Sequence, residues 1–172
     1  CSMLFLLSVT GYAQVLISED FDSSNGFPSG WSSPTLPAFI VTSSNSCDGN
    51  SVRGPLNQNS VGPELVYMSQ VATGDDIIVS FDYKILQESN SNPTDEDFGA
   101  FHLQYSIDDG KNWLTYRTID ETSHTPSSSC VNITDTIPGS NVPAGSEFGW
   151  RVRGTFTQGN NYIYIDKVFL DI

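Results

Sequence analysis

DIIVSFDYKIL, residues 76–86, decides the fold. Ile77, Val79, Phe81, Tyr83 and Ile85 alternate with Ile78, Ser80, Asp82 and Lys84, so an extended chain presents one wholly apolar face. A helix would scatter the same residues around its circumference. FGAFHLQYSI (98–107) repeats the pattern, with Phe101, Leu103, Tyr105 and Ile107 against His102, Gln104 and Ser106. FGWRVRGTFT (148–157) sets Trp150, Val152, Gly154 and Phe156 against Arg151, Arg153 and Thr155, and NYIYIDKVFLDI (161–172) alternates likewise. VLISEDF, AFIVTS, NSVRG, PELVYMS, NWLTYRTI and CVNITDTI read as weaker strands, bringing the total to about ten. Gly, Pro, Asn or Asp separates nearly every pair.

About ten short antiparallel strands in one domain must bury their apolar faces on one another. The expected fold is therefore all-β, a two-sheet antiparallel sandwich of jelly-roll type, with a closed barrel as the alternative. At 172 residues the chain suits a single domain, placed at 15–172, and is too short for a propeller. Two polar stretches, SNSNPTDED (89–97) and SHTPSSSC (123–130), read as exposed loops. Lys plus Arg number 7 against 20 Asp plus Glu, a net charge of −13 that repels nucleic acid and anionic lipid and favours cations.

CSMLFLLSVTGYAQ (1–14) contains an apolar run from Met3 to Val9 and then a small-x-small pattern before Gln14. It reads as the remnant of a secretory signal peptide cut after Ala13. The rival reading, a lipidated Cys1, fits poorly because such tethers are polar. The run is also far short of the roughly 20 residues that span a membrane. Export would leave Cys47 and Cys130 as an even pair in an oxidising compartment. A bridge between them would close a loop of more than 80 residues. Such closure contributes about 4 kcal/mol where the Cα atoms come within about 7 Å. Two unpaired thiols in separate loops are the alternative. Asn132-Ile133-Thr134 matches a glycosylation sequon but is read as strand sequence in a chain of bacterial character.

YSIDDGKNW (105–113) comes one residue short of the Asp box, S-x-D-x-G-x-T-W, that recurs in sialidases and other propeller proteins. It lies between two alternating runs, so the reading is a hairpin. Asp108 accepts hydrogen bonds from the turn, Gly110 takes a positive φ, and Trp113 packs across it. Catalytic parts are lacking: neither G-x-S-x-G, H-E-x-x-H nor C-x-x-C occurs, and Asp95-Glu96-Asp97 reads as a solvated charge run. A glycosidase or peptidase working through Asp95 or Asp97 is the disfavoured reading. Carboxylates stand at both chain ends, in SEDFD (18–22) and YIDKV (164–168). Pairing of the terminal strands would bring Glu19, Asp20 or Asp22 near Asp166, and a structural calcium is the expected occupant; surface or turn residues are the plain alternative.

EDFD, FPSGW (27–31), SCDGNSVRGPL (46–56), YSIDDGKNW, AGSEFGWRVRGTF (144–156) and YIYIDKVFL (162–170), in this order, resemble the MAM-like jelly-roll modules of secreted Bacteroidetes proteins. The choice-of-anchor J domains are among them. The resemblance covers the mature chain and implies a noncatalytic accessory module at the cell surface or in the medium, within a larger protein. It also implies a structural calcium or sodium at the positions matching Asp22 and Asp166, with Lys167 standing where a second acidic residue is usual. The expected function is adhesion or substrate targeting, toward a glycan or a surface protein. The alternative is a carbohydrate-binding module using Trp31, Trp113 and Tyr116 as sugar platforms. Against it, Trp31 follows a turn that would tuck it inward, and Trp113 belongs to the hairpin.

Overall fold

The computed structural model describes residues 15–23, 26–57, 62–155 and 159–172. The stretch read as a leader, 1–14, and Phe156 lie outside these residues. Among the described residues, eleven strands form two antiparallel sheets. They are β1 (Leu16–Glu19), β2 (Trp31–Ser32), β3 (Ile40–Thr42), β4 (Ser51–Asn57), β5 (Glu64–Val71) and β6 (Ile77–Gln87), followed by β7 (Ala100–Ser106), β8 (Leu114–Asp120), β9 (Val131–Ile137), β10 (Glu147–Gly154) and β11 (Asn160–Asp171). One sheet runs β3-β4-β11-β6-β9 with β1 on the far end of β11; the other runs β2-β5-β10-β7-β8. The layout is the expected jelly-roll sandwich. Only β2, two residues long, carries too little pattern to read from sequence.

The alternating faces close on one aromatic core. Ile77, Val79, Phe81, Tyr83 and Ile85 of β6 are all buried, as are Phe101, Leu103 and Tyr105 of β7. Trp150 of β10 sits at the centre, its ring centroid 5.7 Å from Phe81 and 6.2 Å from Trp31. Burying side chains of this size stabilises the fold by about 3 kcal/mol each relative to exposure. Gly54 interrupts the apolar face of β4 for a steric reason: a Cβ there would stand 2.3 Å from the Phe39 ring, which fills the space.

The termini meet as expected, with Leu16 to Glu19 of β1 paired to Asp171 to Val168 of β11. Cys47 and Cys130 form a disulfide with Cα atoms 5.5 Å apart. The bridge joins the loop before β4 to the start of β9, and beneath it the Lys84 ammonium donates to the Ser46 and Ser128 carbonyls. The two polar stretches are loops, but the expectation of full exposure needs correcting. Thr94 is buried in the first, and His124 plugs the second into the core between Tyr83 and Phe98, because an imidazole ring packs edge and face like any aromatic.

Candidate functional site

Alternation gives the five-stranded sheet an outer face as well as an inner one. The register aligns Glu64, Arg153, His102 and Thr118 in one row across β5, β10, β7 and β8. Val66, Arg151, Gln104 and Thr115 form the next row. Arg151 holds the two rows together. Its Nη1 donates to Glu64 Oε1 (3.0 Å) and its Nε to Gln104 Oε1 (2.6 Å), while Gln104 Nε2 donates to Thr115 Oγ1 (2.8 Å). Arg153 Nε lies 3.4 Å from the same Glu64 oxygen. His102 Nδ1 shares a hydrogen bond of 2.8 Å with Thr118. Burial, and then the charge of Arg153, lower the His102 pKa and favour its neutral form.

The third row explains the Asp-box stretch. Met68, Gly149 and Ser106 align there, and Gly149 contributes no side chain to the row. A Cβ at Gly149 would meet the Met68 sulfur at 2.3 Å and the Trp113 ring at 3.3 Å. The β7–β8 hairpin folds over this gap. Asp108 Oδ1 accepts from the Asn112 N–H (2.9 Å) and Ser106 Oγ (2.8 Å), and its Oδ2 accepts from Asn112 Nδ2 (2.6 Å). These bonds, Asn112's side chain first, hold the Asp108 pKa down at about 2. Asp109 and Gly110 take positive φ values of 59° and 74°. Trp113 is thereby laid on the outer face with the Arg151 guanidinium 4.2 Å from its ring centroid, a stacked cation–π pair.

Two shallow depressions flank the Arg151 rib. One, of about 400 Å³, is bordered by Ser32, Pro34, Met68, Asp109 and Trp113. The other, of about 440 Å³, is bordered by Gly62, His102, Gln104, Thr115, Arg153 and Thr155. His102, Gln104, Thr115, Arg153 and Thr155 border the second, and an indole edges the first.

Of the three aromatic residues expected to line a site, Trp113 alone lies on this face. Trp31 is corrected to a core residue: it is 6% exposed and its ring is enclosed by Phe21, Tyr67 and Trp150. Tyr116 also turns inward, half-buried, and its hydroxyl accepts from Trp150 Nε1 (2.9 Å). Burial raises the Tyr116 pKa, so it stays a neutral phenol. Sequence reasoning missed Glu64, Gln104, Arg151 and Arg153. Their polar alternation was visible in the strands, but their convergence depends on pairing across three strands.

The acidic corner brings the sequence-predicted cation residues to one place without forming a cage. Asp22 accepts from the Asn50 N–H, and Asp166 Oδ2 accepts from the Asp48 N–H (3.2 Å) and Ser51 Oγ (3.2 Å), so both carboxylates hold the 48–51 loop. Asp166 is fully buried, and burial pushes its pKa up to about 6. Glu19 and Asp20 serve the turn itself, accepting from the N–H groups of Phe21 (2.7 Å) and Asp22 (3.1 Å). The Lys167 ammonium lies 3.2 Å from Asp48. Among the described residues, no three His, Cys, Asp or Glu side chains converge as a metal would require. The groups suit calcium in kind, being oxygens, but they face N–H donors.

Comparison with solved structures finds the same architecture in binding modules. The K3 cleaved adhesin domain of Lys-gingipain from Porphyromonas gingivalis superposes with a TM-score of 0.57 at 15% identity, over 92% of this chain and 99% of that one. A carbohydrate-binding module specific for non-crystalline cellulose, CBM28, gives 0.59 at 13% identity, over 90% and 92%. The xylan-binding module CBM15 gives 0.57 at 14%, over 93% and 97%. The shared property is the jelly-roll fold. No family model matches the chain, and no curated protein sequence matches it. No helix among the described residues is long and apolar enough to cross a membrane.

Proposed function

We propose that this protein is a noncatalytic binding module, exported to the cell surface or medium, that serves adhesion or substrate targeting. The carrying observation is the outer face of the five-stranded sheet, where Arg151 is fixed by Glu64, Gln104 and the Trp113 ring. A face preorganised in this way binds without spending affinity on ordering its own side chains. The MAM-like kinship and the place within a larger secreted protein belong to the same proposal; they rest on the order of sequence motifs and agree with the jelly-roll fold of the adhesin domains.

A glycan is the ligand the side chains favour. Sugar hydroxyls require paired donors and acceptors, which Gln104, Thr115, Thr118 and His102 supply, and an indole edge for the sugar's apolar face, which Trp113 supplies. The carbohydrate-binding modules of similar fold support this reading. Retention on insoluble polysaccharides and a glycan array test it. Binding that falls at least tenfold in Trp113→Ala, without turnover of the polymer, is the expected result; binding unaffected by changes anywhere on this face would remove it.

Calcium at the acidic corner is a second proposal, with Asp22 and Asp166 as ligands. It is supported by the buried Asp166 carboxylate, which a cation would neutralise. A thermal midpoint raised by calcium in the wild type but not in Asp166→Asn is expected, and a midpoint indifferent to calcium and chelator would exclude it.

A further inference from the structure

The part of the five-stranded sheet's outer face around Arg153 carries unbalanced positive charge in a chain of net charge −13. Arg151 and Arg153 occupy successive outward positions of β10, and both address the single carboxylate of Glu64, at 3.0 and 3.4 Å. Two guanidinium groups against one carboxylate leave a surplus of one charge, and it resides on Arg153. The Arg151 side chain is 9% exposed, wedged among Glu64, Gln104 and Trp113, whereas that of Arg153 is 45% exposed. Among the described residues, none on the border of the depression beside Arg153 is acidic. The segments 58–61 and 156–158, next to its border residues in sequence, contain no ionisable side chain.

We infer that this depression takes the carboxylate of an acidic polysaccharide, a uronic acid unit, with Arg153 as its charge partner. The inference rests on the glycan reading of this face. Glu64 lies 3.4 Å from Arg153 Nε, on one side of a guanidinium whose fork matches a carboxylate. Gln104, Thr115 and Thr155 border the same depression and suit the ring hydroxyls of the uronate. The sugar next along the chain meets Trp113 across the Arg151 rib. The remaining acidic surface does not forbid the contact, because exposed charges beyond about 8 Å are screened at physiological salt. It does mean that nonspecific attraction cannot hold a polyanion on this protein.

The test compares polygalacturonate, its methyl-esterified form and a neutral xylan by affinity electrophoresis and calorimetry with the full chain. Retention on polygalacturonate is expected, at least tenfold weaker on the ester. Arg153→Gln should lose about tenfold to a hundredfold on polygalacturonate alone, the range for a hydrogen bond to a charged group. Thr115→Phe, which fills the depression and removes the acceptor of Gln104 Nε2 while leaving the Glu64 ion pairs in place, should lose binding with the melting midpoint lowered by only about 3 °C. Equal affinity for ester and acid, or unaltered binding by both variants, overturns the carboxylate assignment while the glycan reading stands. Retention on neither these polymers nor a glycan array overturns the glycan reading, and this inference with it.

Discussion

The two outer faces of the sandwich solve one problem differently. Each sheet has cationic and aromatic residues pointing away from the core, and each must satisfy their polar groups. On the six-stranded sheet the chain covers one such pair and leaves another beside a depression: Lys84 and Tyr164, 7% and 2% exposed, lie near the loops that the Cys47–Cys130 bridge joins, with backbone carbonyls accepting from the ammonium, whereas Arg53 stacks half-buried on Tyr162. On the five-stranded sheet the side chains satisfy one another through Glu64, Arg151 and Gln104, and depressions remain open beside them. A face closed by backbone is spent on stability, whereas a face closed by side chains stays available to a ligand.

The strongest way to break the comparison is to unlock the covered face. Replacing both Cys47 and Cys130 with Ser removes a link across 83 residues and should cost about 4 kcal/mol, or roughly 10 °C in midpoint. Polysaccharide retention at 10 °C should survive it, since the disulfide does not support the open face.

Next in size is Glu64→Gln, which leaves Arg151 mostly buried without its carboxylate. A loss of about 3 kcal/mol is expected by chemical denaturation, together with weaker binding. On the other sheet, Asn132→Ala breaks hydrogen bonds that are largely exposed, to Ser80 and Asp82, and should cost under about 1 kcal/mol.

Gly149→Val tests the gap under the hairpin. It should displace Met68 and Trp113, change the tryptophan emission and reduce binding more than it lowers the melting midpoint.

The smallest effects lie in pH. The Asp166 pKa is raised by burial, so its contribution to stability is full below about pH 4 and lost as pH rises through about 6. His124 is lowered by burial, so its contribution is present above about pH 6.5 and lost as pH falls through its folded pKa. Its Nδ1 meets the Tyr83 hydroxyl, and the nearby Asp95 charge and the Thr94 backbone oppose the shift in part. Midpoints measured from pH 4 to 8 should lose the alkaline slope in Asp166→Asn and the acid slope in His124→Gln.

Much of the fold was legible because a strand's period of two writes its inner face directly into the chain. Phe81, Leu103 and Trp150 are all buried where alternation put them, whereas in β11 the expected alternation breaks at Lys167, so that Ile163 and Ile165 before it and Val168 and Leu170 after it are all buried. The hairpin at Asp108 and Gly110 was legible for a similar reason, since its side-chain hydrogen bonds span four residues or fewer. Trp31 could be read either as a sugar platform or as a ring tucked inward by its turn, and it takes the second position, while Tyr116, read as a candidate ligand contact, turns inward from β8. His124 shows the reverse error, a polar loop residue that packs as a ring between Tyr83 and Phe98.

What the sequence determined by itself was local: alternation and hence sheets, turn chemistry and hence the hairpin, and a strong acidic excess. Tertiary structure alone decided that Glu64, Gln104, Arg151 and Arg153 would meet, because those residues come from β5, β7 and β10 and share a surface only through strand register. It decided likewise that Trp113 would lie on Arg151, which depends on an empty Cβ position at Gly149. Backbone periodicity is a property of neighbours in the chain. A binding face is a property of neighbours across a sheet, where the partner's identity is set by packing.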